Sequence, residues 1–174
     1  FYAGSLYLNS PHPRNIFVLL DQLEILKSSN SISNYEFHIA SNLNAVEVKM
    51  FDKYVQSGSI KLLGVLSQQE VETYYQTVNA CVLILGDSEQ DQYAVPIKVF
   101  EYLHTGLPIL TLCPANAEIV DILGDAVYNG ICYYGEQFKK INQETILSWF
   151  EKVKYFQPEN SSTELLSKFN RKEQ

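Results

Sequence analysis

Lys98 and Glu101 stand three residues apart in the run Val95-Pro96-Ile97-Lys98-Val99-Phe100-Glu101-Tyr102-Leu103. Their types and spacing suit a ligand that carries phosphate beside a pair of hydroxyls. Pro96 is predicted to be the first helical residue, which places Lys98 in the first turn. There the positive end of the helix dipole costs a cation roughly 0.3–1 kcal/mol, and a bound anion reverses the sign. Free backbone N–H groups at a helix N-terminus bind phosphate, and an ammonium adds charge to the same place. Glu101 falls on the same helical face, about 5–6 Å from Lys98 between Cβ atoms. A carboxylate there accepts hydrogen bonds from two adjacent hydroxyls, as on a ribose. The pair also reads as an exposed i,i+3 ion pair on a solvated face. What favours the site is its setting: an apolar strand and a polar loop before it, then His104-Thr105-Gly106-Leu107-Pro108 turning into the next strand.

The elements that must hold these residues follow from periodicity. Phe1 to Gly4 reads as a strand, and Ile16 to Lys27 as a helix with Ile16, Leu19, Leu20, Leu23 and Leu26 on one face. Tyr35 to Ala40 and Ser59 to Leu63 are strands, with a helix over Val46 to Val55 between them. Ser67 followed by Glu70 forms a capping box for a helix whose apolar face is Val71, Tyr74, Tyr75 and Val78. Ala80 to Leu85 is continuously apolar, as in a strand buried on both faces of a parallel sheet. After the polar loop Gly86 to Ala94 comes the Pro96 helix, stopped by Gly106. Pro108 to Leu112 is a strand, Ala117 to Leu123 a short helix, Ala126 to Tyr134 a weaker strand, and Glu144 to Phe156 an outer helix. Strand and helix alternation with short loops predicts an α/β domain of Rossmann-like, three-layer type, a mostly parallel sheet with helices on both faces. In such sheets ligands bind beyond the carboxyl ends of the strands, where strand order reverses. The loops there are Gly4 to Asn15, Gly64 to Ser67 and Gly86 to Pro96.

The 174 residues carry a net charge of −7, with 46% hydrophobic and 13% aromatic residues, enough to bury a core without disulfides or a structural metal. The 19% of charged residues excludes a disordered chain. The acidic balance, without any basic stripe, argues against nucleic acid. Cys81, Cys113 and Cys132 are far apart and form no C-x-x-C, so they read as buried thiols of a reducing compartment. No apolar stretch approaches the roughly 20 residues that span a bilayer, and no secretory signal opens the chain, so a cytoplasmic location is expected. The first residue is Phe1 and already reads as strand, which is the expectation for a domain of a longer protein.

The run Pro96-x-Lys98-x-Phe100-Glu101-Tyr102-Leu103-x-x-Gly106-x-Pro108-Ile109 resembles the signature of the C-terminal, nucleotide-sugar-binding domain of retaining GT-B glycosyltransferases (glycosyl transferases group 1), particularly those of bacterial polysaccharide synthesis. Phe1-Tyr2-Ala3-Gly4-Ser5-Leu6 with Arg14-Asn15 resembles the family's opening strand, glycine loop and first helix. Ile60 to Val65 resembles its third strand, and Asn79-Ala80-Cys81-Val82-Leu83 its fourth. The resemblance implies that residues 1–174 are one half of a GT-B fold that binds a nucleoside-diphosphate sugar, with 161–174 crossing back to an N-terminal acceptor domain outside the chain. It implies glycosyl transfer with retention to a saccharide or lipid-linked acceptor, without a metal, by a hexosyltransferase whose isolated domain is inactive. It also leaves room for peripheral association of the full-length protein with the inner membrane.

Residue by residue, Glu101 matches the second glutamate of the family's E-x7-E motif, which contacts the ribose. The first would fall eight residues earlier, where Tyr93 stands, so Glu89 or Asp91 is left to substitute. Relatives hold the diphosphate with basic residues in the loop after the first strand and the following helix. Ser5 replaces one and Arg14 lies close to the other, so Arg14 and Lys98 are the expected phosphate and catalytic residues. Amides around Gly4 would complete that site, since a residue without Cβ lets the chain approach a phosphate closely. Val65 and Leu66 would flank the base, and Tyr93, Val95 and Pro96 would complete the donor site. The alternatives are a sugar-nucleotide epimerase of the same architecture and a non-catalytic nucleotide- or anion-binding domain.

Other chemistries find less support. Asp87-Ser88-Glu89-Gln90-Asp91 lacks the D-x-D spacing of a metal and sugar-nucleotide loop. No GxGxxG follows the first strand, and neither a Walker A nor a G-x-S-x-G motif occurs. His12, His38 and His104 are widely separated and read as structural. Tyr74, Tyr75, Tyr102, Tyr133 and Tyr134 read as packing residues. Asn160-Ser161-Ser162 fits a glycosylation sequon, a match short enough to arise by chance.

Overall fold

Side chains along Cys81–Ile84 (β4) and Ile109–Cys113 (β5) are all buried, and they divide strictly between the two faces of the sheet. Val82, Ile84, Leu110 and Leu112 join a core shared with Ile16, Leu19, Leu20, Ile146 and Trp149. Cys81, Leu83, Ile109 and Cys113 join a second core with Val99, Tyr102, Ile119 and Leu123. Continuous apolar runs of this kind arise because helices cover both faces of a parallel sheet. The computed structural model describes residues 1–124, 128–134 and 142–156. The expected crossover segment, 161–174, lies outside the described residues.

The elements in order are β1 (Tyr2–Ala3), α1 (Ile16–Ser28), β2 (Phe37–Ala40), α2 (Ala45–Lys49), α3 (Asp52–Gln56), β3 (Ile60–Gly64), α4 (Gln68–Tyr75) and β4. They continue with a 3-10 turn (Glu89–Gln92), α5 (Ile97–Thr105), β5, α6 (Ile119–Leu123), β6 (Gly130–Tyr133) and α7 (Gln143–Lys154). All strand pairs are parallel, so the domain is the Rossmann-like α/β layer structure predicted from alternation. Pairing falls into two three-stranded sheets, β1-β2-β3 and β4-β5-β6. They meet where the Phe1 carbonyl accepts from Val82 N–H at 2.7 Å and the Phe1 amino group donates to the Ala80 carbonyl at 2.9 Å. The spatial order is therefore 3-2-1-4-5-6, and the switch point lies between β1 and β4.

Two expectations are corrected. The single helix over Val46 to Val55 is two short ones, because Val46, Val48 and Met50 are spaced for no single helical face and stay exposed while only Phe51 and Tyr54 bury. Helix α5 begins one residue later than expected: Pro96, at φ −62 and ψ 139, is extended and caps it from outside. Gly106 ends α5 in the left-handed conformation, φ 70, as expected of a glycine stop. The Ser67–Glu70 capping box is present, and α4 closes at Tyr75, short of Val78.

Burial pushes the thiols of Cys81, Cys113 and Cys132 from an ordinary 9.0 up to about 12. The folded chain thus keeps protons that the unfolded chain releases, so this stability is complete below pH 9.0 and is lost as pH rises toward about 12. Melting temperature is expected to fall over that interval, and a disulfide reagent should label the thiols only after unfolding. Gly130 packs so closely that a Cβ would lie 2.7 Å from Trp149 Cδ1 and 3.0 Å from Leu110 Cδ1. Gly130→Ala is expected to cost about 1–3 kcal/mol by overpacking, read as a lower denaturant midpoint.

Candidate functional site

At the carboxyl end of β1 the chain turns through Gly4 and Ser5, and the turn is organised by Arg14. The Arg14 guanidinium donates through Nη1 to the Ser5 carbonyl at 2.9 Å and lies 5.1 Å from the centre of the Tyr7 ring. The Tyr2 hydroxyl donates to the same carbonyl at 2.9 Å. Arg14 N–H closes the loop on the Leu6 carbonyl at 2.9 Å, and Gly4 N–H bonds the Ala40 carbonyl at 3.0 Å. A Cβ on Gly4 would meet the Tyr2 hydroxyl at 3.2 Å, so a side chain would crowd that group, while Arg14 Nη1 at 3.8 Å would be in ordinary contact. Tyr7 adopts φ 52, a left-handed conformation that non-glycine residues take at a cost. Gly4, Ser5 and Arg14 are thus brought together, as expected from sequence.

Beyond the switch point, α5 presents Lys98 in its first turn. Lys98 Nζ lies 2.5 Å from Glu101 Oε2, with the two side chains 35% and 41% exposed. The exposed i,i+3 ion pair is therefore formed, and at this exposure it contributes at most about 1 kcal/mol. A ligand that offers a phosphate to Lys98 and hydroxyls to Glu101 can replace it at small cost. Tyr75 extends from α4 and donates to Glu101 Oε2 at 3.4 Å. Burial, with the Glu101 carboxylate beside it, raises the Tyr75 hydroxyl well above its ordinary 10.0, so it stays a donor. The two halves are tied together by Tyr102, fully buried, whose hydroxyl accepts the Ala3 N–H at 3.3 Å.

The loop after β4 has its own wiring. Asp91 accepts from Gly86 N–H at 3.1 Å, Ser88 N–H at 3.0 Å and the Ser88 hydroxyl at 2.5 Å. A Cβ on Gly86 would lie 2.6 Å from Asp91 Oδ2, which is why the loop opens on glycine. Asp91 is thus engaged within its own loop, whereas Glu89 is exposed. Asp87 reaches across to His12 at 2.9 Å, joining this loop to the one after β1. Sequence reading missed that bridge because 75 residues separate its ends.

The remaining expected residues differ in exposure and packing. Tyr93 follows the 3-10 turn and is 69% exposed; Val65 is 71% exposed. Leu66 packs with Tyr74, Tyr75 and Val78 against Phe1 and Ala3, and Val95 packs on the core around Tyr102. Pro96 is half-buried. Tyr75, Tyr102 and Tyr134 are packing residues as expected, Tyr134 donating to the Leu85 carbonyl at 2.8 Å. Among the described residues no group of three or more His, Cys, Asp or Glu side chains gathers as metal ligands would. Nor is any helix among them long and apolar enough to cross a membrane.

No protein-family profile matches the chain, and no curated protein matches it. Solved structures do. TarM superimposes with a TM-score of 0.53 at 14% identity, over 97% of this chain and 34% of TarM. The pneumococcal O-GlcNAc transferase GtfA, in complex with UDP and GlcNAc, superimposes with a TM-score of 0.51 at 13% identity, over 97% of this chain and 33% of GtfA. The fold is one that a glycosyltransferase uses. The chain spans about a third of the length of each of these proteins.

Removing the Asp91 carboxylate strips acceptors from the Gly86 and Ser88 amides. Asp91→Ala is expected to cost about 1.5–3 kcal/mol, the range for hydrogen bonds to a charged group, read from chemical denaturation.

Proposed function

We propose that the crevice at the β1–β4 switch point binds a nucleoside-diphosphate sugar, and that the chain is the donor-binding domain of a retaining glycosyltransferase. The observation that carries this reading is the meeting of two half-sites at one seam. The Gly4–Ser5 turn with Arg14 and the α5 face with Lys98 and Glu101 are joined by the Tyr102–Ala3 hydrogen bond. A fold shared with a transferase described in complex with UDP supports it.

In this reading Glu101 accepts the ribose hydroxyls, while Arg14, Lys98 and the amides around Gly4 hold the diphosphate. The Lys98–Glu101 contact opens as the ligand enters, freeing the ammonium for a phosphate oxygen and the carboxylate for hydroxyls. Cleavage of the anomeric bond places negative charge on the leaving diphosphate. Fixed cations and amides there stabilise the transition state more than the ground state, and no metal is required. Val65 and Leu66 flank the base, and Tyr93, Val95 and Pro96 border the sugar. A saccharide or lipid-linked acceptor is held by the remainder of a longer protein, so this chain alone binds donor without transferring.

Calorimetric titration with UDP and GDP tests the reading. Binding of one nucleotide is expected, weakened roughly tenfold or more, about 1.4 kcal/mol, in both Glu101→Ala and Lys98→Ala. Binding that survives both substitutions would place the nucleotide elsewhere.

A further inference from the structure

The β1–β4 ladder is unusual at the point where the crevice begins. Phe1 exchanges two backbone hydrogen bonds with β4, through Ala80 and Val82. The next amide of β1 on that edge, Ala3 N–H, goes to a side chain instead: the Tyr102 hydroxyl at 3.3 Å. Tyr102 is fully buried, and its ring meets Tyr75 edge-on at 5.9 Å between centroids; Tyr75 in turn meets Phe1 at 5.9 Å. The phenol therefore stands where continued strand pairing would close the seam. It is followed in one direction by the Gly4 turn and preceded in the other by Glu101.

We propose that Tyr102 is a positioning residue that sets the span between the diphosphate-binding turn and the ribose-binding face of α5. The inference rests on the nucleoside-diphosphate reading above. A ligand with phosphate and ribose rigidly linked binds well only if Gly4 and Glu101 keep one separation. That separation is fixed by a hydrogen bond from the residue before Gly4 to the residue after Glu101. Phenylalanine at this position keeps the ring among Tyr75, Val99 and Leu103 and removes only the hydroxyl that holds Ala3.

The test is a double-mutant cycle on the 174-residue chain, titrated with UDP and GDP. Tyr102→Phe leaves the buried Ala3 N–H without its acceptor, so it should melt below the wild type while staying folded at the titration temperature, and bind the preferred nucleotide roughly five- to tenfold more weakly, the effect of one lost hydrogen bond. In a Glu101→Gln background, where the ribose end is already released, the same substitution should change affinity by less than about twofold. An equal loss in both backgrounds, or no loss in either, overturns the positioning role while leaving the nucleotide site standing. Absence of UDP and GDP binding by the wild type at millimolar concentration overturns the nucleotide reading and this inference with it. Amide exchange supplies a check independent of any affinity. Ala3 N–H should be protected in the wild type and lose protection in Tyr102→Phe, while Gly4 N–H, bonded to Ala40, keeps it. An Ala3 amide that exchanges freely in the wild type overturns the proposal outright.

Discussion

Two adjacent residues of β1 carry the architecture, because the sheet changes direction of growth around them. Tyr2 and Ala3 pair with β2, while Phe1 holds β4 through its carbonyl and amino group. Phe1 and Ala3 face a small core with Ala40 and Val71, and Tyr2 faces the large core on the other side. A strand this short cannot hold two sheets by backbone pairing alone, so side chains complete the seam. Phe1 stacks on Tyr74 at 5.1 Å, and Tyr102 takes the amide that β4 leaves. Where pairing stops, the loops after β1 and β4 leave the seam and are tied to each other by His12 and Asp87.

Around the crevice, polar groups are divided between those that build and those that remain available. Asp91, Ser88 and Gly86 satisfy one another within the loop after β4, and buried or half-buried groups satisfied in this way give a loop a single shape. His12 and Asp87 connect that loop to its neighbour. Lys98 and Glu101, by contrast, pair at substantial exposure, with the Tyr75 hydroxyl on the same Glu101 oxygen at 3.4 Å. A solvated ion pair of this kind is weak. It costs little to exchange for a ligand with opposite polarity at each end.

Part of the fold was legible in residue types. Alternating short apolar runs and amphipathic segments specify parallel strands with helices on both faces, and β4 and β5 carry no polar face because none is exposed. Ser67 with Glu70 and Gly106 mark helix ends through local chemistry that needs no tertiary partner. Elsewhere local pattern misled. The segment after Asn44 is apolar enough for one helix, but Phe51 and Tyr54 seek the core while Val46 and Val48 have nothing to cover them, and the helix breaks. Pro96 also stands just outside α5, since its extended ψ serves the loop that precedes it.

The sequence by itself determined the α/β layering, the apolar strands, three buried thiols, and the presence of a cation and a carboxylate one helical turn apart. These follow from periods of two and 3.6 residues and from groups that interact within a few positions along the chain. Only the tertiary structure decided that Asp91 turns inward, that His12 meets Asp87, and that Tyr102 binds Ala3 across the seam. The reason is geometric. The His12–Asp87 and Ala3–Tyr102 contacts join residues 75 and 99 positions apart, brought together by the packing of whole elements, so no local spacing encodes them. For Asp91 the partners lie close in sequence, yet which of several acidic side chains turns inward depends on the space that Gly86 leaves.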